Sequence, residues 1–126
     1  MSHIAPLIVI ADSDTVYLDL MNTILAEAGY TVLRVSVSGQ VYPLVRQAQP
    51  NLVIMDIQMG QPDSGWYALD LIRLDPDTAS IPLLVCSTNT FLFQRRLVLL
   101  KLVRWGTLDK PFVVDQLLAK ITELLH

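Results

Sequence analysis

The chain has 126 residues, 52% of them apolar, and its nine basic and twelve acidic side chains leave a formal net charge of −3. This composition excludes a disordered chain and gives no electrostatic reason to expect direct nucleic-acid binding. No apolar run reaches the roughly 18–20 residues that span a bilayer, no signal segment is evident, and the lone Cys86 excludes an internal disulfide. We therefore expect a cytoplasmic protein without a membrane partner.

Strands and helices alternate along the chain. The first strand, residues 7–11, is a continuous apolar run, which is typical of a strand buried on both faces of a parallel sheet. A helix begins at Thr15 and ends near Gly29, and four apolar residues recur in it at helical spacing: Val16, Leu20, Ile24 and Leu25. The other predicted elements are strands at 31–35, 52–55, 81–86 and 106–108 and helices at 41–49, 66–74, 91–104 and 114–125. Five β/α units with short connections predict a parallel sheet covered on both faces, in one domain of residues 1–126.

Polar side chains follow four of the predicted strands: Asp12, Asp56, Ser87 and Lys110. Because ligands of open α/β sheets bind outside the carboxyl ends of the strands, we expect these residues to form one site. Two carboxylates can hold Mg²⁺, and a carboxylate can also accept a phosphoryl group as a nucleophile. Each residue alone has a more ordinary explanation, such as a helix cap for Asp12. Their convergence favours a phosphoryl-transfer site.

These residues and their neighbours resemble the receiver domain of two-component response regulators. The similarity covers essentially the whole chain and is carried by IADSD at 10–14, EAGY at 27–30, LVIMDIQM at 52–59, Asp75-Pro76 through Ile81-Pro82, and DKPF at 109–112. It implies a (βα)5 α/β fold with a five-stranded parallel sheet in the order 2-1-3-4-5, helices on both faces, and no output domain in this chain. It also implies a cis peptide bond between Lys110 and Pro111.

By this resemblance, Asp56 is the phosphoacceptor, and a histidine kinase or phosphotransfer protein is its donor. Ser87 is the switch hydroxyl, Thr88 lies on the path to Asp56, and Lys110 binds the phosphoryl group. The resemblance implies a signalling domain rather than an enzyme, with at most self-phosphorylation and self-dephosphorylation.

The implied Mg²⁺ ligands are the carboxylates of Asp12 and Asp56 and the backbone of Gln58. The family has a second acid directly after the first, and Ser13 replaces it here. We therefore expect weaker Mg²⁺ binding, and phosphorylation that is slow or absent. Asp14 either substitutes for the missing acid through a shift of the loop or caps the first helix with Ser13, and the sequence leaves both alternatives open.

Two further departures concern the surroundings of the site. The family's Met-Pro step reads Met59-Gly60, with one extra residue before Gly65, so the loop after Asp56 is expected to differ in shape. The position of the family's switch aromatic is Thr107, and Trp105 is out of register with it. The usual coupled movement of hydroxyl and aromatic is therefore not expected.

The predicted fourth helix is apolar almost all round, unlike the polar fourth helix of most receivers. Such a helix is either buried in the core or covered by a partner. We favour a partner, which would be a downstream protein or a second copy bound through the fourth helix and fifth strand. The predicted partner surface consists of Phe91, Phe93, Arg95, Arg96, Leu99 and Trp105.

Two other functions compete with the phosphoacceptor. A pseudo-receiver would never be phosphorylated and would act as a constitutive interaction module, as Ser13 and the altered loop suggest. A small nucleotide or cofactor binder has little support, because the chain lacks the G-x-G-x-x-G and G-x-x-x-x-G-K-[ST] motifs and a Cys/His zinc pair. A Ser-His-Asp set is also missing, since the two histidines are His3 and His126.

Overall fold

The computed structural model describes residues 4–126, so His3 lies outside the described residues. Five parallel strands form one sheet in the order β2-β1-β3-β4-β5, which confirms the predicted fold class. The strands are β1 (Leu7–Ala11), β2 (Thr31–Val35), β3 (Leu52–Asp56), β4 (Leu83–Ser87) and β5 (Trp105–Asp109). The helices are α1 (Thr15–Glu27), α2 (Val41–Ala48), α3 (Ser64–Leu74), α4 (Gln94–Leu99) and α5 (Val114–Leu125). Within the described range, no helix is long and apolar enough to cross a membrane.

The continuous apolar strands separate two hydrophobic cores. Ile8 and Ile10 of β1 face a core completed by α1 and α5, whereas Val9 and Ala11 face a core completed by α2, α3 and Leu97 of α4. Successive side chains of a strand point to opposite faces, so an uninterrupted apolar run supplies both cores. Each fully buried aliphatic side chain contributes about 1.5–3 kcal/mol.

Helix α1 begins and ends where the sequence predicts. Asp14 is its N-cap, because Oδ1 of Asp14 accepts hydrogen bonds from the backbone N–H groups of Val16 (3.0 Å) and Tyr17 (3.2 Å). At the other end Gly29 takes a φ of 96°, a left-handed conformation that favours glycine. Asp14 therefore caps the helix, as the simpler of the two alternatives predicted.

The buried face of α1 agrees only in part with the predicted one. Its core residues are Leu18, Met21 and Leu25. Of the residues in the predicted helical pattern, Leu25 is buried, whereas Val16 and Leu20 are 76% and 59% exposed. The pattern contained two apolar stripes, and only the stripe at i, i+3 and i+7 faces the sheet.

The predicted helix at 91–104 is wrong in extent. A 3₁₀ turn at Thr90–Phe93 precedes α4, which has six residues, and the chain turns at Lys101 with a φ of 54°. The reason is that the chain pairs with β4 again from Arg104 onward. The backbone N–H of Leu83 donates to the carbonyl of Arg104 at 3.0 Å, so the chain must already have turned back to the sheet there.

Three other elements differ from the prediction by one or two residues at their ends. Helix α3 begins at Ser64 rather than 66, and β4 begins at Leu83 rather than 81. Strand β5 is longer than predicted, since it pairs with β4 from Trp105 to Asp109. These shifts leave the order of elements unchanged.

Candidate functional site

The ammonium group of Lys110 joins the ends of β1, β3 and β5. Nζ of Lys110 donates to Oδ2 of Asp12 at 2.5 Å and to Oδ2 of Asp56 at 2.8 Å. The side chains of Asp12, Asp56 and Lys110 are 4%, 17% and 19% exposed, so this ion triplet is largely shielded from water. Strands β1 and β3 are neighbours at the point where the strand order reverses, which brings the two carboxylates together.

The electrostatics of the triplet favour a charged lysine. Burial by itself lowers the pKa of Lys110, but the hydrogen bonds to Asp12 and Asp56 outweigh burial and raise the pKa above its ordinary value. The next peptide bond, between Lys110 and Pro111, is cis, as the resemblance implies. Lys110 is therefore a fixed positive charge beside both carboxylates.

Backbone N–H groups fix the other oxygen of each carboxylate. Oδ1 of Asp12 accepts from the N–H of Asp14 at 2.9 Å, and Oδ1 of Asp56 accepts from the N–H of Gln58 at 2.8 Å. Both carboxylates are thus held at both oxygens. Their orientation is set before any ligand binds, which is the preorganisation that charge stabilisation requires.

The donor set fits a magnesium ion that keeps several waters. The residues that meet here are the carboxylates of Asp12 and Asp56, which are oxygen donors of the kind Mg²⁺ prefers, and the resemblance implies the backbone carbonyl of Gln58 as a third donor. Ser13 is exposed, and Asp14 is engaged as the α1 cap. Over residues 4–126, no group of three or more acidic, histidine or cysteine side chains is placed to hold a metal ion. The third carboxylate that the family supplies is therefore not replaced.

Ser87 is close to the site, but its hydroxyl is engaged elsewhere. Oγ of Ser87 donates to Oε1 of Gln58 at 2.9 Å and accepts from the N–H of Asn89 at 3.3 Å. The Ser87 side chain is buried, whereas Thr88 is exposed and borders a groove next to Lys110. To reach a phosphoryl oxygen, the Ser87 hydroxyl would first have to leave Gln58.

Tyr17 is a component of the site that the sequence analysis missed. Nζ of Lys110 lies 4.3 Å from the centre of the Tyr17 ring, and the ring meets Phe112 edge to face at 6.4 Å. Burial, and then the charges of Cys86, Asp12 and Asp56, raise the pKa of Tyr17 well above its ordinary value. A tyrosine in the first turn of the helix after Asp12 is the signal that could have identified it.

An apolar groove runs from Lys110 along α1. Its volume is about 410 Å³. Its lining includes Tyr17, Leu20, Ile24, Pro111 and Phe112. The exposed second stripe of α1 is therefore one wall of an opening to the site.

Helix α3 and the loop that precedes it contact α4 and the turn before α4. The guanidinium of Arg96 lies 4.1 Å from the centre of the Trp66 ring and 3.4 Å from Oδ1 of Asp63, which has a φ of 68°. Phe93 packs edge to face on Trp66 at 5.7 Å. The altered loop after Asp56 thus contacts the fourth helix directly.

At the position of the family's switch aromatic, Thr107 has a hydroxyl that forms a hydrogen bond, and no aromatic ring. Oγ1 of Thr107 accepts from Nε2 of Gln94 at 3.1 Å. Trp105 is half-buried against the core of α2 and α3. A short polar side chain therefore links β5 to α4 here.

The residues of the predicted partner surface differ in exposure. Phe91 and Leu99 are 81% and 71% exposed, and Arg95 and Arg96 are also exposed. Phe93 and Trp105 are only partly exposed, because both pack against the core. Three further apolar side chains extend the exposed face: Leu92, Val98 and Val103.

Comparisons with known proteins agree on one family. The sequence model of the family described as "Response regulator receiver domain" matches residues 8–122. The DNA-binding dual master transcriptional regulator RpaA of Synechocystis is 33% identical over 123 residues, which are 96% of this chain and 49% of that protein. The chain thus spans about half the length of this curated relative.

Two solved structures share the fold. The chemotaxis response regulator CheY4 of Vibrio cholerae superposes with a TM-score of 0.85 at 19% identity, over 96% of this chain and 99% of that one. The receiver domain of the sensor histidine kinase PA1611 from Pseudomonas aeruginosa, whose structure holds a magnesium ion in its active-site cleft, gives 0.83 at 20% identity, over 97% of this chain and 98% of that one. At these identities the structural likeness concerns the fold alone.

Proposed function

The chain belongs to the response-regulator receiver family of two-component signalling, and we propose that Asp56 accepts a phosphoryl group from a histidine kinase or phosphotransfer protein. The observation that carries this proposal is the ion triplet: one lysine ammonium holds Asp12 and Asp56 side by side at a partly open edge of the sheet. A structural ion pair would need one carboxylate. The second carboxylate gives the site a place for a cation and a nucleophile together.

The proposed step is a phosphoryl transfer that this chain's residues position. A carboxylate oxygen of Asp56 forms a bond to phosphorus while the bond from phosphorus to the donor nitrogen breaks, and the leaving nitrogen takes a proton. The negative charge of the transferred group lies beside the Lys110 ammonium. The ammonium can move its hydrogen bond from the Asp56 carboxylate to a phosphoryl oxygen. Ser87 can donate to a second phosphoryl oxygen once its hydroxyl leaves Gln58.

A bound Mg²⁺ would neutralise part of the phosphoryl charge, with Asp12, Asp56 and the backbone carbonyl of Gln58 as ligands. Asp12 has a second role, because its contact with Lys110 keeps the ammonium near Asp56 when no phosphoryl group is present. With Ser13 in place of an acid, we expect this site to need more Mg²⁺ than a receiver with three acids.

The same structure gives the pseudo-receiver its support. Lys110 already pairs with both carboxylates, and the third acid is not replaced, so the net charge of −1 that the triplet carries attracts a metal ion less strongly than a site with a further acid. In this alternative the chain binds its partner constitutively. A Mg²⁺ titration separates the two, since binding that Asp12→Ala weakens argues against the pseudo-receiver.

Incubation with phosphoramidate and Mg²⁺ followed by intact-mass measurement tests the proposal. We expect one phosphate adduct on the wild-type chain and none on Asp56→Asn. Asp63→Asn is a matched control, because Asp63 is an exposed aspartate of the neighbouring loop. An adduct that survives Asp56→Asn would contradict the assignment.

We further propose that the output surface is the exposed apolar face of α4, and that a second copy of this chain covers it. Exposed basic side chains lie in the same stretch of the chain, among them Arg95 and Lys101, and acidic side chains of α5 lie exposed at Asp115 and Glu123. A two-fold pairing can set the bases of one copy against the acids of the other. This charge complementarity favours a homodimer over an unrelated partner.

A further inference from the structure

The Lys110 ammonium has three contacts in this structure. Two of its N–H groups serve Asp12 and Asp56, and the face of the Tyr17 ring lies 4.3 Å from Nζ. The face of an aromatic ring is negative, so it attracts a cation placed over it. Because lysine has a long flexible stem, an ammonium with such a third contact is confined more tightly than one held by hydrogen bonds alone.

The Tyr17 ring is itself held in place by the loop that carries Asp12. The N–H of Tyr17 donates to Oδ1 of Asp14 at 3.2 Å, and the N–H of Asp14 donates to Oδ1 of Asp12 at 2.9 Å. Phe112 supports the ring from the side of α5. One hydrogen-bonded turn thus positions both the carboxylate and the ring that meet at Lys110.

The hydroxyl of Tyr17 has no part in this arrangement. It is buried, and within the described part of the chain it has no hydrogen-bond partner. Such a group costs stability and contributes no bond. The ring is therefore the useful part of the side chain, and phenylalanine should serve as well.

We propose that Tyr17 is a positioning residue, whose ring confines the Lys110 ammonium between the two carboxylates and thereby sets the rate at which Asp56 is phosphorylated. Only the effect on the rate rests on the proposed function. The contact between ring and ammonium exists in the unphosphorylated protein and can be measured there.

The rate test compares Tyr17→Leu and Tyr17→Phe with the wild type. We expect Tyr17→Leu to slow phosphorylation by phosphoramidate and Mg²⁺ roughly tenfold, the equivalent of one desolvated cation–π contact, and Tyr17→Phe to stay within about twofold. Tyr67→Leu is a matched control on α3, where the tyrosine is exposed, and should leave the rate unchanged. If Tyr17→Leu fails to fold, Tyr17→Met removes the ring while keeping a side chain of similar length.

The second readout is the NMR signal of the Lys110 ε-methylene group, assigned with Lys110→Arg. Ring currents should shift it upfield in the wild type and in Tyr17→Phe but not in Tyr17→Leu. A wild-type signal at its ordinary position, or equal rates for Tyr17→Leu and the wild type, overturns the proposal. A wild type that takes no phosphate but shows the shift overturns the proposed function and the rate role with it, and leaves the contact as structural.

Discussion

Cys86 lies directly beside Asp56 in the sheet, as its register partner on β4. The thiol is 1% exposed, and burial raises its pKa to about 12 even though the charge of Lys110 acts in the opposite direction. At neutral pH the side chain is therefore a small apolar group next to the phosphoacceptor. Thiol-specific reagents should leave it unmodified in the native protein, because the thiolate is the reactive form.

The raised pKa of Cys86 predicts a loss of stability in alkali. An unfolded thiol releases its proton near pH 8.5, whereas the native thiol keeps it to about pH 12, so the native state binds more protons between these values. The free energy of unfolding should fall over this range, with a contribution from Cys86 of at most about 1.4 kcal/mol per pH unit. Urea titrations from pH 8 to 11 check this. Cys86→Ala should be less stable than the wild type at pH 8 but show a shallower slope, and equal slopes would contradict the assignment.

The residues of the site could be predicted from the sequence, but their contacts could not. Asp12, Asp56 and Lys110 each follow an apolar strand, and the topology then places them at one edge. The contact of Ser87 with Gln58 and the position of Tyr17 over Lys110 depend on side-chain torsions and on neighbours distant in sequence. No periodicity encodes these features.

The approach of helix α3 to the loop after β3 leaves no room for a side chain at Gly65. A β-carbon there would lie 2.2 Å from the carbonyl oxygen of Ile57, which is backbone and cannot move aside cheaply. We expect Gly65→Ala to lower the free energy of unfolding by about 1–3 kcal/mol. Gly39→Ala is the matched control, since a β-carbon there has open space. Equal midpoints in urea for the two variants would contradict this packing.

The start of α1 depends on one side chain. Because Oδ1 of Asp14 accepts two backbone N–H groups, Asp14→Ala should cost about 1 kcal/mol, while Asp14→Asn keeps the cap and should cost little. Thermal unfolding followed by circular dichroism measures both. If Asp14→Asn lost as much stability as Asp14→Ala, the charge of Asp14 would matter more than its capping hydrogen bonds. A role for Asp14 at the metal site would then be open again.

At the level of elements, the sequence predicted the type and order of each helix and strand better than its extent. Apolar residues continue past Leu99 to Val103, so the pattern extended α4 to residue 104. The actual end is set by the pairing of β5 with β4, a tertiary constraint. The same limit applies to α1, where two apolar stripes compete and the sheet selects one.

For the molecule as a whole, the exposed face of α4 predicts self-association. Phe91, Leu99 and Val103, which lie in α4 and in the turns on either side of it, are 81%, 71% and 72% exposed, and exposed apolar surface favours contact with another protein. We expect sedimentation velocity to show a dimer whose dissociation constant rises at least tenfold in Leu99→Glu, since one charge buried in an interface costs more than 1.4 kcal/mol. Leu20→Glu on α1 is the control. A wild type that stays monomeric at high concentration would refute the dimer.

The central claim is that Asp56 carries the phosphoryl group, and borohydride trapping tests it most directly. An aspartyl phosphate is reduced to homoserine, so treatment with phosphoramidate and Mg²⁺, then borohydride, then proteolysis marks the modified residue in a peptide mass spectrum. We predict homoserine at position 56 and unmodified aspartate at position 12. Homoserine at another position would contradict the assignment of Asp56. Aspartate unchanged throughout the chain, while a receiver with three acids is labelled in parallel, would contradict it as well and favour the pseudo-receiver.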